Sequence, residues 1–148
     1  MNREQLTQEA IELLKKLIAT QSFSSEEEGT AALIEAWFNA HDIPFKRQAN
    51  NIWATNKNFE EGKTTLLLNS HHDTVQPNNG YTRDPYSPDV EDGKLYGLGS
   101  NDAGGCLVSL IATFTYFYAQ ENPKYNLVIV ASGEEESSGP NGLNSCLR

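Results

Sequence analysis

Two short apolar runs, separated by a stretch with a helical pattern, limit what this chain can fold into more than any other feature of its sequence. The first run covers residues 64–70, TTLLLNS, and the second covers residues 126–132, NLVIVAS. The nearly continuous apolar character of the first run fits a strand that is covered on both faces. From Asp102 onwards apolar residues recur at helical spacing, until Pro123 ends that pattern. Strand, helix and strand together predict an α/β fold.

Further elements are predicted before the first run and between the two runs. Apolar residues at helical spacing predict a first helix over residues 6–18 and a second that contains residues 33–38 and ends near His41. A strand is predicted at residues 51–55 and a loop at residues 76–92.

Two further sequence signals concern the starts of predicted helices. Ser24 with Glu27, or Ser25 with Glu28, offers a capping box for the second helix. At the other end of the sequence, residues 144–148 resemble the opening turns of a last helix.

Size and charge narrow the class of protein. A chain of 148 residues has the length of one ordinary domain. Its formal charge of −9 argues against nucleic acid and anionic membrane surfaces as partners, because both would repel the excess of carboxylates. The sequence does not open on a secretory signal pattern and has no apolar run of bilayer length, so we expect a soluble, cytoplasmic protein. Cys106 and Cys146 are expected to be reduced.

Polar residues follow both apolar runs, where ligands bind in open α/β sheets. After the first run come His71, His72 and Asp73. Residues i and i+2 of a strand project to the same side, so His71 and Asp73 can meet while His72 points away. A metal-bound imidazole usually gives its other N–H to a carboxylate, and Asp73 fits that supporting role. An ordinary polar strand end with a surface histidine is the alternative.

Two more groups of polar residues complete the candidate site. A glycine-rich loop, residues 97–105, delivers Asp102 at the start of the predicted helix, where Asp102 could instead be a simple N-cap. The glycines do not have the spacing of a nucleotide-binding loop. The second run is followed by residues 134–136, EEE, whose like charges require a positive partner or remain a solvated turn. One histidine and several carboxylates suit zinc, with cobalt or manganese as substitutes.

Three sequence strings carry a family resemblance: residues 68–75, LNSHHDTV; residues 96–105, YGLGSNDAGG; and residues 132–136, SGEEE. In this order and spacing they resemble the acetylornithine deacetylase and succinyl-diaminopimelate desuccinylase family. Residues 81–86, YTRDPY, and 92–96, DGKLY, look like its deacetylase branch. The resemblance implies a three-layer, zinc-peptidase-like catalytic domain with a mostly parallel sheet covered by helices. Residues 1–148 would be its N-terminal portion, without the inserted dimerisation domain and the C-terminal part.

The same resemblance implies roles for individual residues. It implies that His71, Asp102 and Glu136 bind metal, with Asp102 bridging two zinc ions, that Asp73 supports His71 and that Glu135 is the general base. The triplet also allows Glu134 as base and Glu135 as ligand. Where many relatives have a lysine two residues after the bridging aspartate, this chain has Gly104.

The activity implied is hydrolysis of an N-acyl amino acid, most like N-acetylornithine or N-acetylcitrulline in arginine biosynthesis, by a homodimer. A zinc dipeptidase or carboxypeptidase of the same family is the first alternative, and a metal-free interaction module is the second. Because the remaining zinc ligands of the family lie further along its chains, residues 1–148 alone are expected to be inactive.

Overall fold

The computed structural model describes residues 2–146, which form three helices and six strands. The elements in chain order are α1 Arg3–Ile18, α2 Glu28–Ala40, β1 Lys46–Gln48, β2 Asn51–Thr55, β3 Thr65–His71, β4 Val90–Glu91, β5 Lys94–Leu95, α3 Gly105–Phe117 and β6 Asn126–Ser132. A π-helical turn, Ser100–Gly104, runs directly into α3, and a 3₁₀ turn, Leu143–Ser145, lies near the end.

The sheet confirms the predicted α/β class but differs from the expected strand directions. Its order is β1-β2-β6-β3. The pair β3 and β6 is parallel, with Leu68 opposite Ile129, whereas β1 with β2 and β2 with β6 are antiparallel. Only residues 49 and 50 separate β1 from β2, and so short a connection forces an antiparallel hairpin. Within the described residues the sheet is therefore mixed, and the expectation of a mostly parallel sheet is wrong.

Within residues 2–146, one apolar core lies between the helices and one face of the sheet. Alternation along β2 and β6 directs Ile52, Ala54, Ile129 and Ala131 to this face, where all four are buried. The helices contribute the apolar positions that the 3.6-residue period predicted, such as Leu13, Leu17, Ile34, Phe38, Ile111 and Phe114. Residues 2–146 thus form a sheet and one helical layer, and the third layer remains a prediction.

The first apolar run differs from its predicted environment. Strand β3 lies at the edge of the sheet, and Leu66 and Leu67 are 46% and 45% exposed. Because these neighbours point to opposite faces, neither face is fully covered at this point of the strand. The prediction that both faces of this strand are covered is wrong for the described residues. The reason is its edge position, which the apolar pattern alone does not reveal.

The start of α2 is also built differently from the predicted capping box. Glu27 occupies the N-cap position, and no side chain caps the helix there. Ser24 donates its hydroxyl to Asp73 instead, and the Glu27 carboxylate accepts N–H groups from outside the helix. Ser24 and Glu27, one of the two predicted capping pairs, thus each form a long-range hydrogen bond.

Other predicted elements agree with the structure. The strand at residues 51–55 is β2, and α2 ends beside His41. The predicted loop at residues 76–92 is irregular until β4, which pairs with β5. Of the expected last helix, the structure has the turn Leu143–Ser145, and residues 147 and 148 lie outside the described part. No helix in residues 2–146 is long and apolar enough to cross a membrane.

Candidate metal centre

The parallel pairing of β3 and β6 brings two groups of polar residues together. His71, the last residue of β3, lies opposite Ser132, the last residue of β6. The chain leaves β6 through Gly133 into a turn that contains the three glutamates. The carboxyl ends of β3 and β6 are therefore adjacent, as in any pair of parallel neighbouring strands.

His71 is held by Asp73 on one side of its ring and faces carboxylates on the other. Its Nδ1 lies 3.0 Å from the Asp73 carbonyl oxygen and 3.3 Å from Asp73 Oδ1, so Nδ1 carries a proton. Its Nε2 lies 3.2 Å from Asp102 Oδ1 and 3.7 Å from Glu135 Oε2. The hydrogen bond with Asp73, against the opposing effect of burial, raises the pKa of His71 to about 9. Without a metal, the imidazolium is the positive partner of these carboxylates.

Asp73 is fully buried and joins more groups than its predicted role requires. Besides contacting His71, its carboxylate accepts the Ser24 hydroxyl at 2.7 Å and the backbone N–H groups of Glu135 at 3.1 Å and Glu136 at 3.0 Å. Burial opposes ionisation, but the hydrogen bonds from His71, Ser24 and the two amides outweigh it and lower the pKa of Asp73 to about 2. Asp73 thus fixes both the imidazole and the glutamate turn.

His72 points away from the cluster, as strand alternation predicted. Its ring is buried, with Nε2 2.8 Å from the Asn50 carbonyl oxygen and Nδ1 2.8 Å from Thr30 Oγ1. Because a carbonyl only accepts, Nε2 carries the proton, and Nδ1 accepts the hydroxyl of Thr30. Burial lowers the pKa of His72, so this histidine is neutral.

Asp102 projects into the site from an irregular segment and does not cap a helix. Its φ of −115° and ψ of 97° are non-helical, and its side chain is 80% exposed. Helix α3 begins at Gly105 with Gly104 at its N-cap position, so the interpretation of Asp102 as an N-cap is wrong. A Cβ on Gly104 would lie 2.6 Å from the Gly99 carbonyl oxygen, so no side chain fits there without a backbone shift.

The three glutamates separate into two environments. The Glu134 carboxylate accepts the backbone N–H of Asn141 at 3.0 Å and its side-chain amide at 2.9 Å, and these hydrogen bonds lower its pKa. Glu135 approaches His71, as described above. Burial, together with the charge of Asp102, raises the pKa of Glu136. Glu134 is therefore taken up by its own turn, while the next two residues face the site.

The three residues that the resemblance assigns as metal ligands lie close together. His71, Asp102 and Glu136 can each offer one ligand atom, and these atoms all lie within 4.8 Å of one another. A nitrogen and carboxylate oxygens form a donor set that zinc accepts. Burial and the nearby charge of Asp102 raise the pKa of Glu136, and a bound cation would offset the repulsion between these carboxylates. The residues present thus fit a divalent metal, while their individual roles stay predictions.

Several residues of the site were missed by sequence reasoning. Ser24, Glu27, Asn50 and Asn141 hold the strand ends and the glutamate turn through hydrogen bonds. Ser24 and Glu27 were singled out only as capping residues. No local pattern could have linked Ser24 to Asp73, because 49 positions separate them along the chain.

Together, the fold and the site define an α/β protein with a candidate metal centre at the ends of two parallel strands. Comparison with known families agrees, since residues 67–148 match the model of peptidase family M20/M25/M40. The chain belongs to this family.

Curated relatives share about a third of their residues with this chain over the aligned region. A succinyl-diaminopimelate desuccinylase of Wigglesworthia glossinidia brevipalpis is 34% identical over 145 residues, covering 93% of this chain and 37% of the relative. An acetylornithine deacetylase of Shigella sonnei is 34% identical over 142 residues, covering 86% of this chain and 36% of the relative. The chain therefore spans little more than a third of the length of these relatives.

Solved structures share the fold at lower identity. The M20 family metallo-carboxypeptidase of Sulfolobus solfataricus superposes with a TM-score of 0.67 at 23% identity, covering 95% of this chain and 33% of that chain. A Bacillus subtilis protein described as a dinuclear metal binding peptidase from the M20 family gives a TM-score of 0.69 at 17% identity, covering 97% and 39%. These likenesses confirm the predicted fold class.

Proposed function

We propose that residues 1–148 are the N-terminal portion of the catalytic domain of a zinc-dependent N-acyl amino acid deacylase. The observation that carries the proposal is the convergence of His71, Asp102 and Glu136, with the Glu135 carboxylate beside them. His71, Asp102 and Glu136 would hold metal, with Asp102 shared between two zinc ions in the whole protein. Cobalt or manganese could substitute for zinc, because both accept the same nitrogen and oxygen donors.

The hydrogen bonds of the glutamate turn support one of the two possible registers. Glu134 directs its carboxylate to Asn141, whereas Glu135 Oε2 lies 3.7 Å from His71 Nε2 and Glu136 belongs to the potential ligand group. We therefore assign Glu135 as general base and Glu136 as ligand. In the other register the base would be a side chain that already accepts two hydrogen bonds from its own turn.

Each remaining residue has a separate task in amide hydrolysis. When bound, zinc supplies Lewis acidity, which lowers the pKa of water and polarises a carbonyl group. Glu135 takes the proton of the attacking water on a carboxylate oxygen and returns it to the leaving amine. Asp73 keeps the proton of His71 on Nδ1, so that Nε2 presents its lone pair to the site.

The substrate class comes from the relatives. The two curated relatives described above are named as a desuccinylase and a deacetylase, and both names describe removal of an acyl group. We propose an N-acyl amino acid as substrate, with N-acetylornithine or N-acetylcitrulline first, which would place the protein in arginine biosynthesis. We further propose that it acts as a cytoplasmic homodimer, with the dimerisation domain outside these residues.

Paired substitutions test the proposed roles in the protein at its full natural length. Glu135→Gln should abolish turnover and leave zinc content nearly unchanged, because it removes a base and no ligand. Glu136→Gln should lower zinc content as well as turnover. Elemental analysis after dialysis and initial rates of acetate release measure the two effects separately. Loss of zinc in Glu135→Gln, with zinc retained in Glu136→Gln, would exchange the roles and favour the other register.

A substrate panel tests the proposed class. N-acetylornithine, N-acetylcitrulline and N-succinyl-diaminopimelate should be hydrolysed in preference to dipeptides. Faster hydrolysis of dipeptides would favour the dipeptidase alternative. A folded protein that neither retains a metal nor hydrolyses any of these compounds would instead be the interaction module.

A further inference from the structure

A fully buried carboxylate outside the candidate ligand group holds the first residue of the glutamate turn. Glu27, at the start of α2, has no exposed surface. Its Oε1 accepts the backbone N–H of Ser25 at 2.8 Å and that of Glu134 at 2.9 Å. Its Oε2 accepts the side-chain amide of Asn50 at 2.7 Å. Three N–H donors therefore compensate this buried carboxylate.

Glu27 and Asp73 divide the turn between them. Glu27 binds the N–H of Glu134, and Asp73 binds the next two, of Glu135 and Glu136. Three consecutive amides of the turn are thus fixed by two buried carboxylates from different parts of the fold. Hydrogen bonds that involve an ionised acceptor are roughly twice as strong as neutral ones. The turn that carries the proposed base and one proposed ligand is accordingly held in one position.

The orientation of Glu27 depends on Asn50 and, behind it, on Arg47. The Arg47 guanidinium donates to Asn50 Oδ1 at 2.9 Å, which directs the amide nitrogen of Asn50 towards Glu27. The backbone carbonyl of Asn50 accepts the ring Nε2–H of His72 at 2.8 Å. The residue that orients Glu27 is therefore tied to the end of β3 as well.

Gly133 allows Glu27 to approach the turn. A Cβ at position 133 would lie 3.3 Å from Glu27 Cδ and 3.3 Å from Oε1. A methyl group there would push the carboxylate by a few tenths of an ångström. The glycine just after β6 and the buried carboxylate are thus complementary in shape.

We propose that Glu27 is a positioning residue for the metal centre. It sets the position of the turn from Glu134 to Glu136 and acts on the bound metal and the reaction only through that turn. This inference rests on the metal site and the roles of Glu135 and Glu136 given under the proposed function. It assigns the Arg47, Asn50 and Glu27 chain of hydrogen bonds to the function of the site.

Glu27→Gln tests the proposal in the full natural protein, because it replaces one acceptor oxygen of Glu27 by an N–H donor. The new amide nitrogen would face the amide nitrogen of Asn50, which Arg47 prevents from turning round. We expect zinc affinity to fall about tenfold, which is the lower end of the loss usually seen when a residue that supports a metal ligand is replaced. We also expect kcat to fall while KM changes little. The Glu134 amide should exchange its hydrogen faster in NMR measurements on the metal-free protein. Glu26→Gln, the same change at the exposed neighbour, is the matched control and should alter none of these.

The double substitution Glu27→Gln with Asn50→Asp should restore the chain of hydrogen bonds. The carboxylate introduced at position 50 can accept from both Arg47 and the new amide at position 27, and the net charge of the pair is unchanged. Recovery of zinc affinity and of slow exchange at Glu134 supports the proposal. A folded double variant that stays as weak in zinc binding as Glu27→Gln would overturn it. So would a Glu27→Gln protein with a lower Tm but unchanged zinc affinity, since Glu27 would then be merely structural.

If Glu27→Gln fails to fold, Gly133→Ala tests the same proposal. It should weaken zinc binding by a smaller factor and speed exchange at Glu134, and unchanged values of both would contradict the proposal. The exchange measurement also separates the two hypotheses. If the wild-type protein bound no metal, the proposed function would fail, although the hydrogen bond between Glu27 and the Glu134 amide would still be measurable.

Discussion

Replacing Asp73 by Asn tests how strongly one buried carboxylate organises the site. The asparagine keeps the shape of the side chain, but it loses the charge and replaces an acceptor by a donor. Its amide group would face at least one of the groups that now donate to Asp73, which are His71 Nδ1, the Ser24 hydroxyl and two backbone amides. We expect a large loss of stability in the metal-free protein.

The magnitude follows from the pKa of His71. A rise from 6.5 to about 9 corresponds to about 3 kcal/mol at roughly 1.4 kcal/mol per unit. The fall in the pKa of Asp73 from 3.8 to about 2 corresponds to about 2 kcal/mol and arises partly from the same ion pair. An amide left without an acceptor adds about 1 to 3 kcal/mol. We expect Asp73→Asn to lower the free energy of unfolding at pH 6 by about 4 kcal/mol.

The pH dependence has a definite sign. Because the pKa of His71 is raised by folding, its contribution is complete below pH 6.5 and is lost as the pH rises through about 9. Because the pKa of Asp73 is lowered, its contribution is complete above pH 3.8 and is lost as the pH falls towards about 2. The difference in stability between wild type and Asp73→Asn should therefore be largest between pH 3.8 and pH 6.5. It should be about 3 kcal/mol smaller at pH 10.

Urea unfolding with EDTA, followed by tryptophan fluorescence from pH 4 to pH 10, measures this difference. Asp42→Asn is the matched control, because Asp42 is exposed and its φ of 53° is one that asparagine also adopts. That control should follow the wild type at every pH. A difference between wild type and Asp73→Asn that is the same at pH 6 and pH 10 would refute the ion pair as the source of the stability.

Two further predictions concern the same group of contacts. Because Nε2 of His71 must lose its proton before it can bind a metal, apparent zinc affinity should fall about tenfold per pH unit below about pH 9. Titration against a competing chelator measures this affinity, and an affinity that does not change with pH would contradict the assignment of His71 as a ligand. Ser24→Ala should lower the free energy of unfolding by about 2 kcal/mol, because its hydroxyl lies 2.7 Å from the ionised Asp73. Urea unfolding measures this loss against Ser109→Ala on the exposed side of α3, and equal stability of the two variants would show that the Ser24 contact contributes little.

Much of the fold and part of the site were predictable because they depend on local periodicity. The 3.6-residue pattern located α1, α2 and α3, and apolar runs located β3 and β6. Two-residue alternation at the end of β3 separated His71 from His72, and the structure has the two imidazoles on opposite sides. Such periodicities come from backbone geometry within a few residues, so a sequence carries them directly.

Contacts between distant segments decided the rest. Edge position decided the exposure of Leu66 and Leu67, and the β1–β2 hairpin decided the mixed direction of the sheet. Ser24 is 49 positions from Asp73, and Glu27 is 107 positions from Glu134. No helical or strand period relates residues so far apart. In the sequence, Ser24 and Glu27 simply match the pattern of a helix capping box. By itself the sequence therefore determined which residue types gather at the strand ends. Only the tertiary structure decided which of these residues hold the site in place and which face it, because a buried carboxylate accepts from whichever donors the folded chain brings within hydrogen-bond distance.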